Sequence, residues 1–177
     1  MKRYVLLDRD GTLIRDVGYP NRPGDYELLD GVAPALRRLA DAGWRFAIVS
    51  NQSGIGRGYF AFSDYERFHA RLLADLADAG IAIDATFVCP HAPEANCECR
   101  KPAPGLLWRA RDELGVDLAA SWLIGDSERD VEAAWRAGLR GAVRIGVAEP
   151  KPSDDPQRLE ARDLGEAADH ILGYGAP

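Results

Sequence analysis

The sequence predicts an α/β protein built on a doubly wound, mainly parallel sheet. Three observations carry this: five short apolar runs, helix-length amphipathic stretches between them, and a glycine just past four of those stretches. Continuous rather than alternating apolarity marks strands covered on both faces, which is the situation in a parallel sheet.

The first run is Tyr4 to Leu7, and it leads directly into 8-DRDGTLI-14. A helical stretch with Val32, Leu36 and Leu39 at helical spacing follows, stopped at Gly43. The second run, Phe46 to Val49, opens into 50-SNQSGIGRG-58, and the next helix presents Phe68, Leu72, Leu73 and Leu76 before Gly80. The third run is Ala85 to Val88, followed by a loop that holds every cysteine of the chain. A helix with Leu106, Ala110 and Leu114 ends at Gly115, the fourth run is Trp122 to Ile124, and 125-GDSERD-130 follows it. Val131, Ala134 and Trp135 mark the apolar side of the next helix, closed by Gly138, and Ala142 to Ile145 is the last run. Glu149 to Asp155, with two prolines and two aspartates, reads as a surface loop before a short final element, Ala168 to Leu172. Alternating strands and helices imply right-handed crossovers and a Rossmann-like sheet, whose ligands bind at the carboxyl ends of the strands.

At 177 residues, 46% hydrophobic and 28% charged, the chain fits a single domain, residues 1–177, with a core of ordinary size. No run approaches the roughly 18 apolar residues of a membrane helix, and the apolar stretch after Met1-Lys2-Arg3 is too short for a signal peptide. A cytoplasmic location is therefore expected, with no membrane partner. A net charge of −6 speaks against a nucleic-acid partner, though a local cluster of Arg and Lys still suits a small anionic substrate. No long amphipathic seam stands out, so a monomer is expected. Three cysteines, an odd number, argue for metal binding or free thiols over a disulfide framework.

Asp8 and Asp10 are two apart, so on extended backbone they share a side, and Gly11 lets the chain turn away. Two carboxylates at a strand's end make a hard oxygen site suited to Mg²⁺, and one of them is placed to attack. Ser50 at the end of the second run, Lys101 after the third, and Asp126 with Asp130 after the fourth deliver polar groups to the same edge. Asp126 or Ser127 also suits the N-cap of the helical stretch 128–137.

Cys89-x-His91 and Cys97-x-Cys99 supply four ligands of the kind found in closed tetrahedral zinc sites. With no open position for water, such a zinc is structural. The zinc loop 89–99 has few apolar side chains of its own, so metal ligation would order it and bring Lys101 to the site.

In the order Asp8 with Asp10, Ser50, Lys101, and Asp126 with Asp130, the chain resembles the haloacid dehalogenase superfamily of phosphohydrolases from Leu7 to about Gly138. The resemblance implies the haloacid dehalogenase fold, with Asp8 as nucleophile forming an aspartyl phosphate and Asp10 as general acid and then base. It implies Ser50 and Lys101 on the phosphoryl oxygens. Mg²⁺ would be held by the Asp8 carboxylate, the Asp10 backbone carbonyl and Asp126, with Asp130 reaching it through water or orienting Lys101. An acid two residues after the nucleophile suits a phosphate ester, whose alkoxide needs a proton, better than a halide, which does not.

Neither the 20 residues between Asp10 and Gly31 nor the loop between Val88 and Lys101 is long enough for a cap domain, so the site is expected to be open and capless. With its zinc loop, 50-SNQSGIGRGYF-60 and the Gly18-Tyr19 pair, the chain is similar to the D-glycero-D-manno-heptose 1,7-bisphosphate 7-phosphatases. Related histidinol-phosphate phosphatases are the alternative, and polynucleotide 3′-phosphatases a further one. This likeness places a phosphorylated sugar against Asp16, Gly18, Tyr19, Asn51, Gln52, Ser53, Arg57 and Arg100, and implies a step in nucleotide-activated heptose and lipopolysaccharide core precursor biosynthesis. Arg100 leads for the distant phosphate because Lys101, its neighbour, points inward and a guanidinium fork suits phosphate. Arg57 and Arg22 are the further candidates.

Overall fold

The computed structural model describes residues 2–175. Its strands are β1 (Tyr4–Leu7), β2 (Arg45–Asn51), β3 (Ile83–Cys89), β4 (Trp122–Gly125), β5 (Gly141–Arg144) and β6 (Leu159–Glu160). The helices are α1 (Val32–Asp41), the short α2 (Ser53–Gly56), α3 (Phe62–Asp78), α4 (Gly105–Leu114), α5 (Glu128–Ala137) and α6 (Leu164–Gly175). All neighbouring strands pair in parallel, in the order β3-β2-β1-β4-β5-β6. The chain thus winds outward in one direction from β1 to β3, then returns to start again at β4. Between β1 and β4 the loops at the carboxyl ends part to opposite faces, which opens a crevice.

Strand alternation sends successive side chains to opposite layers. Val5, Leu7, Phe46, Ile48, Trp122 and Ile124 pack with α1, α3 and α6 on one face. Tyr4, Leu6, Ala47, Val49 and Leu123 pack with α4 and α5 on the other. Both layers are dry, which is why the strands read as unbroken apolar runs. The four glycines expected at helix ends all adopt left-handed φ, from 70° at Gly115 to 83° at Gly43.

Several boundaries differ from the sequence reading. β2 and β3 extend beyond their apolar centres, while β5 starts one residue early and leaves Ile145 just past its end, still buried. The expected element at Ala168 to Leu172 is the middle of α6, and the two-residue β6 is too short to leave a periodic signal. Trp135 faces solvent at 66% exposure, and Ala133 and Ala137 take the inward positions of α5 instead. Small residues there let α5 lie close to the sheet, where an indole would not fit. Residues 10–31 and 89–101 contain one 3-10 turn each, Pro23–Asp25 and Pro93–Ala95, so no cap covers the sheet edge. Among the described residues no helix is long and apolar enough to cross a membrane.

His69 on α3 is buried, hydrogen-bonded through Nε2 to Thr86 Oγ1 at 2.8 Å and stacked on Tyr65. Burial, and secondarily the nearby Arg9 charge, lowers its pKa from 6.5 to about 4. The unfolded chain therefore takes up this proton first: the contribution is complete above pH 6.5 and is lost as pH falls toward 4. His69→Phe should flatten the fall in unfolding free energy across that window by an amount on the order of 3 kcal/mol, measured by urea titration at several pH values.

Candidate active site

The crevice between β1 and β4 holds a cavity of about 400 Å³. At its base lies Lys101, only 3% exposed, and its ammonium meets three acceptors. Nζ is 2.6 Å from Asp8 Oδ1, 2.6 Å from Asp130 Oδ1 and 2.7 Å from the Val49 carbonyl. The ammonium thus donates hydrogen bonds to Asp8 and to the Val49 carbonyl of β2, and forms an ion pair with Asp130 of α5. Burial alone would lower the lysine's pKa, but Asp130 and Asp8 outweigh it and hold the group charged. The Asp8 carboxyl is raised as well: burial lifts it to about 7 despite Lys101, with Asp130 and Asp10 adding to the rise.

Asp130 occupies the third position of α5, where its Oδ2 accepts from Ser127 N and Oγ at 3.2 and 2.6 Å. Ser127 is therefore the N-cap, and Asp130 both closes the helix and orients the lysine. Two glycines make room for this. Gly11 has a φ of 78°, and a Cβ on it would collide with the Asp126 carboxylate; a Cβ on Gly125 would collide with that of Asp130.

Oxygens of Asp8, Asp126 and Asp130 lie within 4.8 Å of one another. Asp126 is raised in pKa by burial, by Asp130 and by Asp16. Three carboxylates against the single lysine leave a formal charge of −2 (3 − 1), which a hard divalent cation would balance. The Asp10 carboxylate stands outside this cluster and has its own cation. Arg9 Nε donates to Oδ1 at 2.8 Å and Nη2 to Oδ2 at 3.0 Å, while Gln52 Nε2 donates to Oδ2 at 2.6 Å. The same Gln52 amide reaches Ser50 Oγ at 2.9 Å, with Ser50 buried at the end of β2.

Asn51 pins the lysine segment to β2. Its Oδ1 accepts from Lys101 N and its Nδ2 donates to Lys101 O, both at 3.0 Å. Asp16, Gly18, Tyr19 and Ser53 border the cavity, as do Arg100 and Arg129. Asp16 Oδ1 accepts from Gly18 N at 2.7 Å, and Tyr19 stands edge-on to Tyr59.

The cysteine loop brings its four ligands together. Cys89 Sγ lies 3.6 Å from both His91 Nδ1 and Cys97 Sγ, Cys99 Sγ lies 3.5 Å from Cys97 Sγ, and His91 Nδ1 is 3.3 Å from Cys99 Sγ. A tetrahedral zinc with Zn–S near 2.3 Å has ligand–ligand edges of roughly 3.5–3.8 Å, so Cys89, His91, Cys97 and Cys99 could hold one with little movement.

Residues 98–167 match the HAD-hydrolase-like family. The D-glycero-beta-D-manno-heptose-1,7-bisphosphate 7-phosphatase of Escherichia coli K12 is 39% identical over 82% of this chain and 80% of its own. That of Photorhabdus laumondii is 38% identical over 96% and 95%. The chain belongs to the HAD-like hydrolases. A solved member of the family, the D,D-heptose 1,7-bisphosphate phosphatase of B. bronchiseptica complexed with magnesium and phosphate, superposes with a TM-score of 0.86 at 31% identity over 98% of this chain and 99% of that one.

Two of the arginines named as candidates for the substrate are not among the residues that line this cavity. Arg57 does not border the cavity: it caps α2 and turns to Glu94 of the cysteine loop, 3.3 Å away, because the close approach of Gly56 to Pro90 and Ala92 points it there. Arg22 lines a separate cavity of about 600 Å³ with Tyr26 and Tyr59. Arg9 and Arg129 were not anticipated. Strand alternation places Arg9 opposite its two aspartates, and nothing local shows that it folds back to one of them. Asn51→Ala should cost about 1–2 kcal/mol in denaturant titration, since both Lys101 main-chain groups lose a partner, and should lower kcat more than it raises KM.

Proposed function

We propose that the chain hydrolyses the 7-phosphate of D-glycero-D-manno-heptose 1,7-bisphosphate through an aspartyl phosphate on Asp8. The observation that carries this is the buried Lys101 held between Asp8 and Asp130, with Asp126 beside them, at the foot of an uncovered cavity. The substrate rests on relatives of that name aligned along most of the chain, and the β-anomer in their names is the one expected. The step belongs to the supply of nucleotide-activated heptose for lipopolysaccharide core.

In this reading an Asp8 oxygen attacks phosphorus, the P–O bond to the sugar breaks, and the sugar oxygen takes its proton from Asp10. Water then attacks the phosphoryl group, yields its proton to Asp10, and Asp8 is released. Lys101 and the Ser50 hydroxyl hold the phosphoryl oxygens, and the lysine keeps its charge because Asp130 remains beside it. Mg²⁺, when bound by Asp8, the Asp10 carbonyl and Asp126, neutralises charge that builds on those oxygens.

Arg100 and Arg129 on the cavity wall are the cations within reach of the second phosphate, and Asp16, Gly18 and Tyr19 flank the sugar. Asn51 and Gln52 act through Lys101 and Asp10, to which their amides are committed, and Ser53 completes the rim. The net charge of −6 supports the absence of a nucleic-acid partner, and the reading takes the chain as a single-domain, monomeric cytoplasmic enzyme. Zinc on Cys89, His91, Cys97 and Cys99 is structural, since the four protein ligands leave no position for substrate.

Comparison of kcat/KM on heptose 1,7-bisphosphate, histidinol phosphate and a 3′-phosphorylated oligonucleotide tests the substrate. A preference of tenfold or more for the heptose is expected, and a preference for either other compound overturns the assignment. Asp8→Asn should abolish phosphate release in a folded protein; turnover that persists removes Asp8 as nucleophile. Elemental analysis should find about one zinc per chain. Cys97→Ala should lose that zinc, melt at lower temperature and lose activity in parallel, with the reaction type unchanged, whereas full stability without zinc would refute the scaffold.

A further inference from the structure

Among the described residues Arg9 is the only fully buried arginine. A guanidinium taken out of water costs several kcal/mol unless acceptors surround it. Here the Tyr65 and Phe68 rings cover it, their centroids 5.0 and 5.2 Å away, and the Pro20 carbonyl stands at 3.5 Å. The one carboxylate it touches is Asp10, gripped by Nε at 2.8 Å and Nη2 at 3.0 Å.

Two parallel N–H bonds to two oxygens set more than a distance: they set the plane of the carboxylate. Gln52 Nε2 adds a third bond, at 2.6 Å, and ties that plane to Ser50. Turning Asp10 about its last torsion would break at least one of the three. The aromatic cover in turn prevents Arg9 from following, so the clamp is anchored in the core and not on the surface.

From this geometry we propose that Arg9 is a positioning residue that aims the Asp10 carboxyl at the leaving-group oxygen, and so decides which phosphate esters the enzyme can cleave. The proposal rests on Asp10 as the acid and base of the reaction. The P–O bond breaks with its electron pair on the ester oxygen, and that oxygen takes the Asp10 proton; one Asp10 oxygen carries the proton while the other still accepts from the guanidinium. An alkoxide needs this proton, but a nitrophenolate leaves without it. A misaimed Asp10 therefore penalises alkyl phosphates selectively.

The test compares kcat/KM on heptose 1,7-bisphosphate and on 4-nitrophenyl phosphate for Arg9→Lys, which keeps the charge but loses the fork. The ratio of the two is read within one preparation, so a partly unfolded variant does not alter it, and Arg9→Met gives the same comparison if lysine is not accommodated. The heptose should lose about tenfold more than the aryl ester. Asp10→Asn should show the same skew more strongly, and adding Arg9→Lys to it should cost little further. Equal losses on both substrates after Arg9→Lys, with a skewed loss after Asp10→Asn, overturn the positioning role alone. Equal losses after Asp10→Asn overturn the acid assignment and this proposal with it.

Discussion

A buried ammonium is tolerated only where nearby oxygens match its charge, and around Lys101 that demand organises the site. Its three acceptors come from the ends of β1 and β2 and from the first turn of α5, while its own backbone hangs from Asn51. Shifting any of these elements would leave a charge unmatched. The lysine therefore acts as a registration point, and its charge is held by Asp130 whatever happens at Asp8.

Two kinds of electrostatic balance sit side by side. Asp8, Asp126 and Asp130 share one lysine and carry excess negative charge, which a hard divalent cation would balance. Asp10 is matched by Arg9 in a separate closed pair. In the mechanism proposed above, that separation would let Asp8 serve as nucleophile while Asp10, two residues on, handles protons. The sheet order produces it: β1 ends at the crevice, Asp8 faces β4, and Arg9 turns under α3.

The cysteine loop stabilises this arrangement from outside. It makes few apolar contacts of its own, and it joins the α2 turn that follows β2 through Gln52 N to the Cys89 carbonyl at 2.7 Å and Gly56 N to the Pro90 carbonyl at 2.8 Å. Four side chains able to hold a metal within one short loop would, with the ion bound, supply the order that hydrophobic burial does not. Arg57, by pairing with Glu94, belongs to this joint.

Taken alone, the sequence determined the fold class, the strands and helices that matter, and many of the polar residues that gather at the candidate site. Unbroken apolar runs, helical spacing of leucines and glycine stops are properties of single segments, and two-sided burial leaves them in plain view. Clustered cysteines and the aspartates at strand ends were legible for the same reason. Tertiary structure alone decided the partners. Lys101 meets Asp8 across 93 positions of sequence, Asn51 meets the Lys101 backbone across 50, and Gln52 meets Asp10 across 42. The fate of Arg9, the outward turn of Trp135 and the diversion of Arg57 to Glu94 follow likewise from which elements the sheet order brings together. A side chain's type is written locally, but the charge it must balance and the space it may fill are set by segments far away in the chain.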